Sequence, residues 1–212
     1  MKTTSSVLSL AASAVFFLTF CPQSFASILI DSMNEVGNWQ IGGGSNSQNR
    51  TLARDTTIKT EGTASIQATA NYVAAGSAYT DVYQNLSPSY DFSANTFTLS
   101  YRTTNVKAKL VWRLGSSLGP VYEASYTPIS ANTWETVSFT VANFTSTPSN
   151  LASVNLIQLR VIGDELGAGN YPQYVTTNFD NMQIVPEPST WILLGASLGA
   201  VLLLRVRRAR VA

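Results

Sequence analysis

Between residues 28 and 184, apolar and polar side chains alternate with a period of two, and no apolar rhythm of about 3.6 residues is sustained. In "TASIQATA", Ala64, Ile66, Ala68 and Ala70 fall on one side, and Ser65, Gln67 and Thr69 on the other. In "NTFTLSYRT", Phe97, Leu99 and Tyr101 alternate with Thr98, Ser100 and Arg102. "VKAKLVWRLG" puts Ala108, Leu110, Trp112 and Leu114 on one face, and Lys107, Lys109, Val111 and Arg113 on the other. "WETVSFTVANF" turns Val137, Phe139 and Val141 inward, and "VNLIQLRVIG" and "TTNFDNMQIV" supply two further strands. Turn-rich stretches such as "GGGSNSQN", "SPSYDFSAN", "GSSLGP" and "STPSN" separate them. Many short strands at this spacing predict an antiparallel β-sandwich, and no repeat of solenoid or propeller period interrupts it.

The two ends follow a different pattern. Lys2, an apolar run over residues 7–20, and the small residues Ser24 and Ala26 predict a secretory signal peptide over residues 1–26. A lipidated Cys21 is the alternative, against which Phe20 stands where that signal wants a small residue. At the other end, Trp191 opens a 14-residue apolar run to Leu204, followed by Arg205, Arg207, Arg208 and Arg210. As a helix it would span roughly 21 Å against a hydrocarbon core of roughly 30 Å. The arginines favour the cytoplasmic side.

Val185, Pro186, Glu187, Pro188 and Ser189, then the short span from Trp191, then the terminal arginines, resemble the PEP-CTERM sorting signal. The resemblance covers residues 185–212. It implies transient insertion in the inner membrane, processing by exosortase, and delivery to the cell surface or extracellular matrix. The alternative is a plain C-terminal anchor.

Composition narrows the chemistry of the body, residues 27–184. The chain has no histidine, and its one cysteine lies in the leader. A mature chain would therefore lack the commonest general base, a thiolate nucleophile and any disulfide. The body carries eight basic and eleven acidic residues, a balance near −3 without a basic cluster, which argues against a nucleic-acid partner. Asp164 and Glu165 in "GDELGAGN" form the one adjacent acidic pair, in a Gly-rich loop. No catalytic residue is assigned.

The order of "ILIDSMNEVGNWQIGGG", "DFSANTFTLSYRTTN", "ANTWETVSFTVANF" and "NFDNMQIV" resembles jelly-roll carbohydrate-binding modules of the galactose-binding-like group. The resemblance implies a jelly-roll sandwich that binds extracellular polysaccharide without catalysis. It also implies a structural calcium held by Asp31, Asn34, the 59–62 loop ending at Gly62, and Asp180. Asn34 stands where the pattern often has Glu, with Glu35 beside it. In the simpler alternative, Asp31 and Asp180 bond only to turn amides. For sugar contact, alternation puts Tyr79 and Tyr83 on one face with Asp81, and Tyr122 on one with Tyr126. Arg102, Lys109 and Arg113 are expected on outward faces of adjacent strands, while Trp39, Trp112 and Trp134 are expected to be packing residues. The competing function is a structural coat or matrix subunit acting through protein contacts.

Overall fold

The computed structural model describes residues 27–93, 95–115, 122–144 and 151–186. The signal peptide over 1–26, residues 187–189 of the sorting motif and the tail beyond them lie outside the described residues. Among the described residues, eleven strands form two antiparallel sheets. They are β1 (Ile28–Asp31), β2 (Gln40–Gly43), β3 (Ser47–Asp55), β4 (Ser65–Tyr72), β5 (Tyr79–Tyr90), β6 (Asn95–Thr103), β7 (Lys109–Gly115), β8 (Tyr122–Tyr126), β9 (Glu135–Phe139), β10 (Val154–Ile162) and β11 (Gln173–Pro186). Sheet A runs β3-β4-β11-β6-β9, and sheet B runs β2-β5-β10-β7-β8. β11 pairs with β4 along its first half and with β1 along its second, so both fit on one edge of the same long strand. The chain crosses between sheets after β1, β2, β4, β5, β6, β8, β9 and β10, as a jelly roll does.

Alternation dictates the core. Ile66, Ala68, Ala70, Leu99, Tyr101, Val175 and Phe179 from sheet A face Leu110, Trp112, Leu114, Leu159 and Val161 from sheet B, and all are buried. An aromatic column ties the layers together. Phe92 stacks on Phe97 at 4.3 Å, Phe97 meets Trp112 at 5.5 Å, and Trp112 meets Phe139 edge-on at 5.5 Å. Pairs of this kind add roughly 0.5–1.5 kcal/mol each beyond the area they bury.

Three local departures from the alternation have physical causes. "GGGSNSQN" is not simply a turn: β2 reaches Gly43 and β3 starts at Ser47. β3 is an edge strand exposed along most of its length, so burial imposes no alternation on it. Gly44, between them, is required by close approach, since a Cβ there would lie 1.8 Å from the Ser77 carbonyl oxygen. β9 stops at Phe139, and Val141 lies in a 3-10 turn rather than in the strand. The Asn143 side-chain oxygen accepts from the Thr140 amide (2.7 Å) and hydroxyl (3.1 Å), which closes that turn. Finally, β11 runs two residues past Ile184, so Val185 and Pro186 pair with Thr96 and Asn95 in sheet A.

Candidate functional site

The outer face of sheet B gathers the ring and fork-shaped side chains. Its strands bury the even positions of β5 and β7, and this turns Tyr79, Asp81 and Tyr83 outward from β5, and Lys109 and Arg113 from β7. β10 contributes Gln158 and Arg160, because Leu159 and Val161 point into the core. Register then aligns them in rows. Gln40, Tyr83, Gln158, Arg113 and Glu123 lie across one row, and Gly42, Asp81, Arg160, Val111 and Ser125 across the next.

Each arginine is fixed at both ends. Arg160 donates through Nε to Asp81 Oδ1 at 2.7 Å and through Nη2 to Asp81 Oδ2 at 3.0 Å, and its guanidinium lies 3.9 Å from the Tyr79 ring centroid. Burial opposes its charge, but hydrogen bonds and attraction from Asp81, with smaller help from Tyr79 and Glu123, outweigh that and raise the guanidinium pKa. Arg113 donates to Glu123 Oε1 at 2.7 Å and to Gln158 Oε1 at 2.8 Å. Both carboxylates on this face are thus committed to arginines. At the top of β5, Asp164 Oδ1 accepts from the Ala78 amide at 2.9 Å and holds the β10–β11 loop against the residue before Tyr79. The result is a preorganised, half-buried polar floor with two tyrosines.

The expected sugar-contact residues therefore divide. Tyr79, Tyr83 and Arg113 meet on sheet B. Tyr122 does not join them: its ring is 3% exposed and faces the core, because Glu123 and Ser125 take the outward positions of β8. Arg102 is on the opposite sheet. β6 and β7 are consecutive in sequence, but the crossover puts them in different layers, so Arg102 is not beside Lys109 and Arg113. Its guanidinium instead reaches the Asn132 carbonyl oxygen at 3.1 Å and side-chain oxygen at 3.1 Å. Trp39 and Trp112 are core residues as expected, and Trp134 is half-buried. Arg160 and Gln158 were not singled out. The alternation of "LIQLRVI" put both outward, but strand order alone makes them neighbours of Tyr79 and Arg113.

The expected calcium residues surround the 59–63 loop. Asp180 is fully buried, and its Oδ2 accepts from the Thr60 amide (2.6 Å), the Thr60 hydroxyl (2.7 Å) and the Glu61 amide (3.1 Å). Its Oδ1 is buried without a partner. Asn34 Oδ1 accepts from the Thr63 and Ala64 amides at 2.8 and 2.9 Å. Gly62 has φ +62°, and a Cβ there would sit 2.5 Å from that oxygen. Asp31 faces another way, accepting from the Met33 amide at 2.7 Å and from Trp39 Nε1 at 2.8 Å. Among the described residues no group of three or more acidic side chains converges. Of the expected set, the unpartnered Asp180 Oδ1 is the atom a hard cation would suit, since a buried carboxylate oxygen without a donor is costly. The turn-amide alternative fits Asp31, and it also describes Asp180 Oδ2, which accepts the Thr60 and Glu61 amides.

No family model matches the sequence, and no curated protein matches it. Solved structures do. The family 11 module of Clostridium thermocellum, in complex with a β-1,3-1,4-mixed-linked tetrasaccharide, superposes with a TM-score of 0.56 at 12% identity, over 76% of this chain and 95% of that one. The two-sheet antiparallel sandwich is a fold that carbohydrate-binding modules share. A family 30 carbohydrate-binding module superposes with a TM-score of 0.55 at 15% identity, over 77% of this chain and all of the module. An exo-β-agarase reaches 0.50 at 14% identity, and there the likeness covers 77% of this chain but 25% of the enzyme. At these identities the likeness establishes the sandwich and its topology.

Proposed function

We propose that this protein is an exported, non-catalytic polysaccharide-binding domain whose binding face is the outer surface of sheet B. The observation that carries the reading is the row built by Tyr83, Gln158 and Arg113, beside an Arg160 clamped by Asp81 and Tyr79. Aromatic rings flanked by convergent, prefixed polar groups suit a polyhydroxylated chain, because the ring takes the C–H faces and the forks take the hydroxyls. Asp81 and Glu123 are neutralised by their arginines, so the face performs recognition rather than proton transfer. The structural likeness to carbohydrate-binding modules supports the same ligand class.

Export and sorting belong to the same proposal. The signal peptide would deliver the body across the inner membrane, residues 191–204 would hold it there transiently, and exosortase would release it near Pro186-Glu187-Pro188. The destination is the cell surface or extracellular matrix, where polysaccharide is the available partner. A structural calcium is also part of the reading. Asp180 would hold it, together with backbone oxygens of the loop that Asn34 and Gly62 shape. The ion would neutralise a buried carboxylate and brace that loop.

The test is retention of the full-length protein in native gels containing mixed-linkage β-glucan, agarose or alginate, with Tyr83→Ala beside the wild type. Retardation by at least one polysaccharide, weakened in Tyr83→Ala, supports the reading. A folded protein that no polysaccharide retards overturns it and leaves a structural matrix subunit.

A further inference from the structure

The outer face of sheet A carries one aromatic ring in a setting of its own. Tyr174 on β11 is 61% exposed. It lies opposite Asn71 on β4, which in turn lies opposite Gln48 on the edge strand β3. A bulge after Gln48 brings Asn49 Nδ2 to 3.5 Å from the Tyr174 hydroxyl. Two residues along the strands, about 7 Å away, Thr51, Thr69 and Thr176 form a second row across the same three strands. The hydroxyls of Thr69 and Thr176 are 3.2 Å apart, and Thr104 extends the row by accepting the Thr176 amide at 3.0 Å.

No charged side chain belongs to either row. Arg50, the nearest in sequence, is turned away and donates to the carbonyl oxygens of Gly44 and Ser47. These two rows are thus uncharged and rich in hydroxyls and amides, with a single protruding ring, and the charges of Arg102 and Asp55 gather at the next row, around Asn178. A protein partner would need an apolar patch of several residues at the interface core, which one tyrosine does not supply. An uncharged chain of sugar rings needs what is present, a ring to stack on and hydroxyl and amide partners beside it. We infer that the Tyr174 face is a second contact site, for a neutral polysaccharide, on the sheet opposite the first. The domain is then bivalent and bridges two chains, an inference that rests on the sheet B reading for its other arm.

The experiment uses the full-length wild type, Tyr174→Ala, Tyr83→Ala and the double variant, with mixed-linkage β-glucan as probe. Retardation in native gels reports binding, and light scattering of protein–glucan mixtures reports bridging. Tyr174 is exposed, so its truncation leaves the core intact. The expected result is bridging by the wild type alone, with binding weakened at least about tenfold in each single variant and lost in the double. If Tyr174→Ala bridges and binds as the wild type does, the inference is overturned. If Tyr83→Ala alone abolishes binding, the second face falls and the first stands. If Tyr174→Ala alone abolishes binding, the sheet B reading and the bridging fall while the Tyr174 contact stands. A wild type that binds no glucan overturns both for this neutral polymer.

Discussion

Asp81→Ala separates the packing role of the sheet B floor from its recognition role. The Asp81 side chain is 9% exposed and that of Arg160 is 21% exposed, with two parallel hydrogen bonds of 2.7 and 3.0 Å between them. Removing one partner of a fully buried pair costs about 3–5 kcal/mol, because the other charge stays desolvated. Arg160 keeps a fifth of its side chain in solvent and its stacking on Tyr79, so the cost here is nearer 2–3 kcal/mol. For a domain of this size each kcal/mol moves the melting temperature by about 2–4 °C, which predicts a fall of roughly 4–12 °C. Calorimetry on Asp81→Ala, Arg160→Met and the double variant gives the cycle. The double variant is expected to lose less than the sum of the singles by about 1.5–3 kcal/mol. Additivity within about 0.5 kcal/mol would refute the argument. So would an Asp81→Ala protein that melts with the wild type, since the pair would then be a solvent-screened contact.

Three further outcomes follow from other parts of the molecule. Millimolar calcium is expected to raise the wild-type melting temperature, by an amount that grows with concentration as ligand linkage requires; Asp180→Asn, which removes the buried anionic oxygen, should abolish the rise, and an equal rise in both proteins would remove Asp180 from the site. Glu135 and Asp55 are held below the ordinary carboxylate range: burial opposes this, but Tyr126 and the Ser130 and Ile129 amides outweigh it at Glu135, and Thr57, Ile58 and Asn178 do so at Asp55. A depressed folded-state pKa gives stability that is present above the unfolded value near pH 4 and is lost as pH falls through the folded one. Melting temperatures measured from pH 7 down to pH 3 should therefore drop below about pH 4, and less steeply in Glu135→Gln. Gly44→Ala drives a Cβ to 1.8 Å from the Ser77 carbonyl oxygen and to 2.9 Å from Tyr79 Cε1; denaturant titration should show a loss of about 1–3 kcal/mol, and a neutral result would mean that this turn yields freely.

How much was legible in the sequence depended on burial. β6 and β10 follow the alternation of "NTFTLSYRT" and "VNLIQLRVI" because each lies inside its sheet with one face on the core. β3 left no such signal, since Gln48, Asn49, Arg50 and Thr51 are all exposed at an edge. Period-two reasoning says which way a side chain points from its own strand, and it placed Tyr79, Asp81, Tyr83 and Arg113 correctly. It does not say which strands are neighbours. The grouping of Arg102 with Arg113 therefore failed at the crossover, while Arg160, 79 residues from Asp81, was invisible as its partner. Tyr122 failed for a related reason. A face shared with Tyr126 is either core or surface, and its aromatic identity favoured surface, while β8 turns Tyr122 from sheet B into the core.

The central claim is that the outer face of sheet B holds polysaccharide. The most direct measurement is calorimetric titration of the full-length protein with mixed-linkage β-glucan and agarose oligosaccharides, in parallel with Tyr83→Ala. The account predicts saturable binding to at least one of them, weakened at least about tenfold when the Tyr83 ring is removed. Binding of equal strength in the variant, or a folded wild type that binds neither, would contradict it.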